Sequence, residues 1–339
     1  MLSARPNSKK MILKPALTFI TGALLVAALP AMAATYKVTT AKELQDAISK
    51  VKAGDVIQLA AGTYKDKFVI KNKSGKADQP IQLTGPAGSS AAVLVNSGGY
   101  GLYLDHANYW IIDGITVNNS GKGIILDTST NNVLQNLTVH DVDDEGIHFR
   151  AFSTDNVLKN SHIYNTGKKQ AGFGEGVYIG SANSNWCTYT SCNPDKSDRN
   201  KVLTNSIGPN VNAEGIDIKE GSSDGLIQGN TFDGSGISGE NYADSVIDVK
   251  GNNYAITGNT VNNHPTSSDK NLLDGFQVHQ AYTGWGKNNK FSSNRFNLNT
   301  KGYGINVQSG LTGNIVCDNN SVTNTSSGVA NVALTHCTN

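Results

Sequence analysis

Basic excess is what this chain most plainly lacks. Over 339 residues its formal net charge is +1, whereas a nucleic-acid binder needs a clustered basic face, so that class of partner is set aside. A polyanionic sugar is still admitted, because a local group of Lys and Arg can meet it. Long apolar runs are missing as well: apart from residues 16–29 nothing approaches the length that spans a bilayer, and no membrane partner is expected. No His/Cys cluster has zinc spacing; His140, His148, His162 and His264 are scattered and read as surface or turn residues. No linker-like stretch divides the chain, which favours one elongated domain over two globular ones. Cysteine is sparse, and the four present suit an oxidising compartment. Cys187 and Cys192 lie within one insertion and Cys317 and Cys337 in the last two coils. Those two pairings are expected out of the three that four cysteines allow.

The first 33 residues read as an export leader. Lys9, Lys10 and Lys14 give it a basic start, residues 16–29 are apolar, and Ala31-Met32-Ala33 is a small-x-small cleavage signal. The expected product begins at Ala34, is secreted or extracytoplasmic, and is a monomer. A membrane anchor is the weaker alternative, because the apolar run is short.

What the chain has in quantity is repetition. One phrase recurs as Gly123-Ile-Ile-Leu, Gly146-Ile-His-Phe, Gly176-Val-Tyr-Ile, Gly215-Ile-Asp-Ile, Gly275-Phe-Gln-Val and Gly304-Ile-Asn-Val. Two apolar residues flank a variable one, the alternation of a strand, and repetition on this scale marks a solenoid. A second series sets an Asn shortly after an apolar residue: Val133 to Asn136, Val157 to Asn160, Val202 to Asn205, Leu226 to Asn230, Ile256 to Asn259 and Phe291 to Asn294. Asn tolerates left-handed backbone, and stacked amides can bond coil to coil, which suits solenoid corners. The expected fold is all-β, a single-domain right-handed parallel β-helix of roughly nine to eleven coils over residues 34–339. Thr40-Ala-Lys-Glu43 is a capping-box sequence, and Leu44, Ala47, Ile48 and Val51 share one helical face, so a helix over 40–51 should cover the N-terminal end. Strands are expected at 56–59, 68–70, 81–84 and 93–95, and longer loops near 181–199, 264–271 and 281–289. Insertions on a solenoid commonly gather on its binding face.

Period two decides which side chains leave the core. Applied coil by coil it gives an outward column Tyr103, Ile125, His148, Tyr178, Asp217, Asp248, Gln277 and Asn306. Two residues on stands a second: Asp105, Asp127, Arg150, Gly180, Lys219, Lys250, His279 and Gln308. Just before the glycines come Glu145, Glu175, Glu214 and Asp274. Parallel strands stack about 4.8 Å apart, so Glu145, Glu175 and Glu214 should form an acidic row with Asp217 beside it. Such a row needs a cation, a base or protonation to offset it. Oxygen ligands in this number suit Ca²⁺; pairing with Arg150, Lys219 and Lys250 is the plainer alternative. A carboxylate-bound cation beside amines suits removal of the C5 proton of a uronic acid followed by β-elimination of the 4-linked sugar. Lys219 and Lys250 are the amines in place for it, and neighbouring cations should lower the pKa of Lys219. Tyr178, His279, Trp186 and Trp285 are candidate substrate contacts, with Tyr189 and Tyr282 as further loop aromatics.

The stretch Asn212-Ala-Glu-Gly-Ile-Asp-Ile-Lys219-Glu-Gly-Ser-Ser-Asp-Gly-Leu-Ile-Gln-Gly-Asn230 resembles the central motif of the family 6 polysaccharide lyases, the alginate lyases and chondroitinase B. The resemblance implies that Glu214 binds calcium, that Lys219 is the base, and that Lys250 takes the place of the acid, an arginine in that family. Asn212 stands where the alginate-type enzymes carry a second calcium-binding glutamate, and the loop between the two lysines is longer. Residues 42–85, with Gly54-Asp-Val-Ile-Gln-Leu-Ala-Ala-Gly-Thr-Tyr64, are similar to the opening of those enzymes. The Asn-Ala-acidic-Gly phrase also resembles family 9 pectate lyases, which use calcium and a lysine base. The expectation is therefore a secreted lyase of a uronate polysaccharide, with Arg150 and His148 holding the substrate carboxylate. Two rivals use the same face. A glycoside hydrolase could employ Asp217 and Asp248 with Glu175 or Glu214, although the Gly-His-Gly and Arg-Ile-Lys signatures of polygalacturonases are absent. A non-catalytic sugar-binding protein needs only the aromatics. A C5-epimerase shares the first step of the lyase.

Overall fold

The computed structural model describes residues 1–4, 33–86, 91–265 and 271–338; most of the expected leader, and residues 266–270 of one expected loop, lie outside them. The chain divides into Met1–Met32 and Ala33–Asn339. The second unit is a parallel β-solenoid. Among the described residues its strands form three sheets of 12, 10 and 10 strands, and the coils of the solenoid feed the three sheets in turn. The helix Ala41–Lys50 lies at the N-terminal end, with the Thr40 and Glu43 capping box formed and Leu44, Ala47 and Ile48 buried. Both expected disulfides, Cys187–Cys192 and Cys317–Cys337, are present.

Two ladders hold the coils in register. The recurring glycines open the strands of one sheet because nothing larger fits there: a Cβ on Gly146 would lie 2.7 Å from the carbonyl oxygen of Gly176, and one on Gly176 2.7 Å from that of Gly215. Asn205, Asn230, Asn259, Asn294 and Asn320 form a buried amide ladder. From Asn230 on, each Oδ1 accepts both the backbone N–H and the Nδ2 of the preceding Asn, as in Asn230 to Asn259 at 3.0 and 3.0 Å. Asn136 and Asn160 do not belong to it. They stand one residue earlier, at exposed left-handed positions (φ 54° and 52°), and the ladder position of the second coil is Ser161, whose N–H donates to Asn205. A second ladder, Asn132 to Asn156 to Asn200, runs along another corner.

Candidate active site

The outward column forms as expected on the sheet opened by the glycines. Tyr103, Ile125, His148, Tyr178, Asp217, Asp248, Gln277 and Asn306 are successive register partners. Turns at 168–174 and 234–244 enter the strands of this sheet, and the insertions 181–199 and 281–289 leave from their other ends. The sheet is a floor between two rims, so a groove over it crosses the strands and follows the solenoid axis. A cleft of about 560 Å³ lies there, lined by Glu214, Asp217, Lys219, Asp248, Lys250, Gln277, His279 and Asn306. Asn241, Tyr242, Asp244 and Leu273 complete it. Those four come from turns that carry no repeat, so period-two reasoning passed them over.

Charge alternates along the floor. Asp217 receives Lys219 Nζ at 2.5 Å and Lys250 Nζ at 2.8 Å; Asp248 receives Lys250 Nζ at 2.5 Å and His279 Nδ1 at 2.9 Å. Burial alone would lower both ammonium groups. Asp217 with Glu175 and Glu214 outweighs it at Lys219, and Asp217 with Asp248 does so at Lys250, so both lysines are held above their ordinary range. The expected lowering of Lys219 is thus reversed, because a carboxylate lies between the two cations. Burial, followed by hydrogen bonding and charge from Lys250 and His279 that outweigh it, leaves Asp248 below the usual range. Hydrogen bonding to Asp248 raises His279.

Carboxylate is in excess. Glu175, Glu214 and Asp217 present oxygens within 4.8 Å of one another, all buried. Among the described residues neither Glu175 nor Glu214 has a basic side chain within ion-pair distance. Burial and then repulsion from Asp217 push Glu175 up to about 8 and Glu214 well above its ordinary value. Glu145 does not join them. It pairs with Lys122 Nζ at 2.5 Å and His148 Nδ1 at 3.0 Å, and these overcome burial to bring it down to about 2. The expected row of four ligands is therefore a group of three, with Glu145 neutralised beside it.

His148 and Arg150 are not free to hold a substrate carboxylate. Both ring nitrogens of His148 face acceptors, Glu145 and the Gly180 carbonyl at 2.8 Å. Arg150 is buried, bonds Asp127 at 2.6 Å, donates to the hydroxyls of Tyr189 and Tyr100, and lies 4.4 Å from the Tyr189 ring centroid. Tyr178 is half-buried between His148, ring to ring at 4.1 Å, and Lys219 Nζ, 5.1 Å from its centroid. Trp186 is an anchor rather than a platform: it is buried, its indole N–H donates to Ser181, and Tyr282 packs edge-on against it at 5.1 Å, joining the two insertions. Trp285 is half-buried on the second insertion, and His279 lines the cleft. Glu220, the residue after Lys219, ties the first insertion to the floor by accepting from Asn183 N and Nδ2 at 2.6 and 2.8 Å.

No curated protein matches the sequence. Residues 30–198 match the family described as Pel9A-like, right handed beta helix region. Among solved structures, an alginate lyase from Paenibacillus sp. str. FPU-7 is 39% identical, with 88% of this chain and 99% of that one covered at a TM-score of 0.82. The pectate lyase Pel9A, 21% identical over 86% of this chain and 78% of its own, has a TM-score of 0.58. A GH87 α-1,3-glucanase from Streptomyces thermodiastaticus, 15% identical over 90% of this chain and 66% of its own at 0.52, shares the fold alone. The Paenibacillus enzyme resembles this chain over almost its whole length in sequence and in fold, and the chain belongs to the right-handed parallel β-helix polysaccharide lyases.

Proposed function

We propose that this lyase cleaves a uronic-acid polysaccharide, alginate before others, by β-elimination in the cleft over Lys219 and Lys250. The observation that carries the reading is the pair of half-buried lysines bridged by Asp217 beside an uncompensated carboxylate group. Lys219 Nζ, once it has given up its own proton, takes the C5 proton of the bound uronate as the neutral amine. The electron pair of that C–H bond forms the C4–C5 double bond, the C4–O bond breaks, and the leaving oxygen receives a proton from the Lys250 ammonium. Asp217 and Asp248 keep Lys250 protonated, the form a general acid must start from. His279, hydrogen-bonded to Asp248 at the cleft wall and raised by that bond, is placed to meet the substrate carboxylate, a role that His148 and Arg150 cannot take while their donors are engaged. The alginate preference rests on the Paenibacillus relative.

Glu175, Glu214 and Asp217 fit Ca²⁺: they are oxygen donors, close together, and two of them lack a counter-ion. Calcium held there would neutralise the substrate carboxylate and offset the field that keeps Lys219 protonated. The hydrolase reading loses ground, because Asp217 and Asp248 are both ion-paired with lysine and neither stands free to protonate a leaving group.

The deciding experiment follows ultraviolet absorbance of the unsaturated product on alginate, polygalacturonate, glucuronan and chondroitin, with and without chelator. Absorbance on one of them supports the lyase; reducing ends without absorbance would sink it. Export as a monomer is proposed alongside. The disulfides fit an oxidising compartment, and among the described residues no helix is long and apolar enough to cross a membrane. Fractionation and sedimentation test it.

A further inference from the structure

Tyr242 is 91% exposed, yet it lines the cleft that holds Lys219 and Lys250. An aromatic ring so exposed contributes almost no burial to the fold. Its backbone is also held in a conformation that aromatic residues avoid: Tyr242 has φ 65° and Asn241 before it φ 54°. Such outliers persist where surroundings over-determine them, and they concentrate at ligand clamps. Here the surroundings are identifiable. Asn241 Nδ2 donates to the Gly172 carbonyl at 3.0 Å, and only glycine permits the approach, because a Cβ on Gly172 would lie 2.8 Å from the Asn241 Cβ. Gly172 sits in the turn Ala171–Phe173 just ahead of Glu175, so the rim that carries Tyr242 is fixed to the coil that carries the carboxylates.

The floor beneath is polar. Asp248, Gln277 and Asn306 follow one another on successive coils, about 4.8 Å apart, and the amides of Gln277 and Asn306 both donate to Asp274. This floor offers hydrogen bonds and no aromatic surface. Among the described residues that line the cleft, Tyr242 and His279 are the only rings, and His279 is bonded to Asp248. A pyranose has an apolar face as well as hydroxyls, and that face needs an aromatic partner.

We propose that Tyr242 is a substrate-binding residue, stacking on a sugar ring bound over the coils C-terminal to Lys219, and that Asn241 and Gly172 are its positioning residues. The inference rests on the uronate-polymer reading and names where that polymer is gripped.

Steady-state kinetics of Tyr242→Gly, Tyr242→Phe and Asn241→Ala on the polymer cleaved by the wild type test it. Removing the ring should raise KM about threefold to tenfold with little change in kcat. Phe keeps the ring and should keep the wild-type KM. Asn241→Ala keeps the ring but frees it, and should raise KM by less. Glycine suits the left-handed position, so Tyr242→Gly should melt no lower than the wild type. A wild-type KM for Tyr242→Gly, or a lowered melting temperature with KM following it, would overturn the proposal. If the wild type yields no unsaturated product from any uronate polymer, the substrate reading fails, and Tyr242 is then tested by affinity electrophoresis in gels carrying each polymer. Weaker retardation of Tyr242→Gly supports the inference; equal retardation overturns it.

Discussion

Asp217 holds two lysines at once, and this sharing decides what each substitution does. Lys219→Ala removes one of its partners and leaves Lys250 in place, so the carboxylate stays paired and the inward Ile216 and Ile218, both 0% exposed, keep the strand. The variant should therefore fold, bind polymer, and lose about a hundred- to ten-thousand-fold in turnover, the usual contribution of a general base. Turnover near the wild type in a folded variant would remove Lys219 from the mechanism. The carboxylates separate in the same way. Glu214→Gln should weaken calcium binding measured by calorimetry on chelator-treated protein, whereas Glu145→Gln should leave it unchanged, because Glu145 is already neutralised by Lys122 and His148. Equal effects would mean that Glu145 is a ligand after all. The column that carries these groups was legible in the sequence because strand side chains alternate, a rule that needs no tertiary knowledge. Their partners were not. Lys122 precedes Gly123 without any motif to mark it, and Tyr242 sits on a turn outside every repeat. Trp186 packs against Tyr282 nearly a hundred positions away, beyond the reach of local pattern.

At the scale of the coil, the two ladders answer different physical demands. Glycine at the strand entrance answers a steric one, and Asn at the corner a hydrogen-bonding one: a buried corner leaves backbone donors that only a side chain of the next coil can meet. Asn259 shows the consequence. Its Oδ1 accepts from Asn230 N and Nδ2, and its Nδ2 donates to Ile227 O and Asn294 Oδ1. Asn259→Ala strands several buried groups together and should cost about 3 kcal/mol. Asn160→Gly, at an exposed left-handed corner, should shift stability by about 0.5 kcal/mol or less. Urea denaturation distinguishes the two, and similar midpoints would contradict the assignment of Asn160 to the outer turn. The sequence placed both residues in one series because Asn serves two neighbouring corner positions, and its frequency does not reveal which. A slip of one residue is invisible to composition, yet it separates a buried amide from a solvated one. The capping helix posed no such ambiguity, since Thr40 and Glu43 determine each other's bonds within four residues.

For the molecule as a whole, the uncompensated carboxylates make stability depend on pH and on calcium with opposite signs. Glu175 has an ordinary value of 4.5 and is raised to about 8 in the fold, chiefly by burial. The folded chain therefore binds that proton more tightly than the unfolded chain does. This stabilisation is fully present below about pH 4.5 and is lost as pH rises through about 8. In chelator, the melting temperature should fall across that window, the loss amounting to a few kcal/mol at most. Calcium should reverse the trend: the ion binds only the deprotonated carboxylates, and a ligand of the native state stabilises by mass action, so its effect should be largest near pH 8, where chelator costs most. Glu175→Gln separates this from other titrations. The amide cannot ionise, so the variant in chelator should lose the downward slope, exceed the wild type near pH 8, and gain little from calcium. Because each coil of a solenoid contacts only its neighbours, the effect should begin at the coils carrying Glu175 and Glu214, and hydrogen exchange there should accelerate ahead of the capping helix Ala41–Lys50. A melting temperature that is flat with pH in chelator, or equal calcium stabilisation of wild type and Glu175→Gln, would show that these three carboxylates are balanced within the protein and hold no ion.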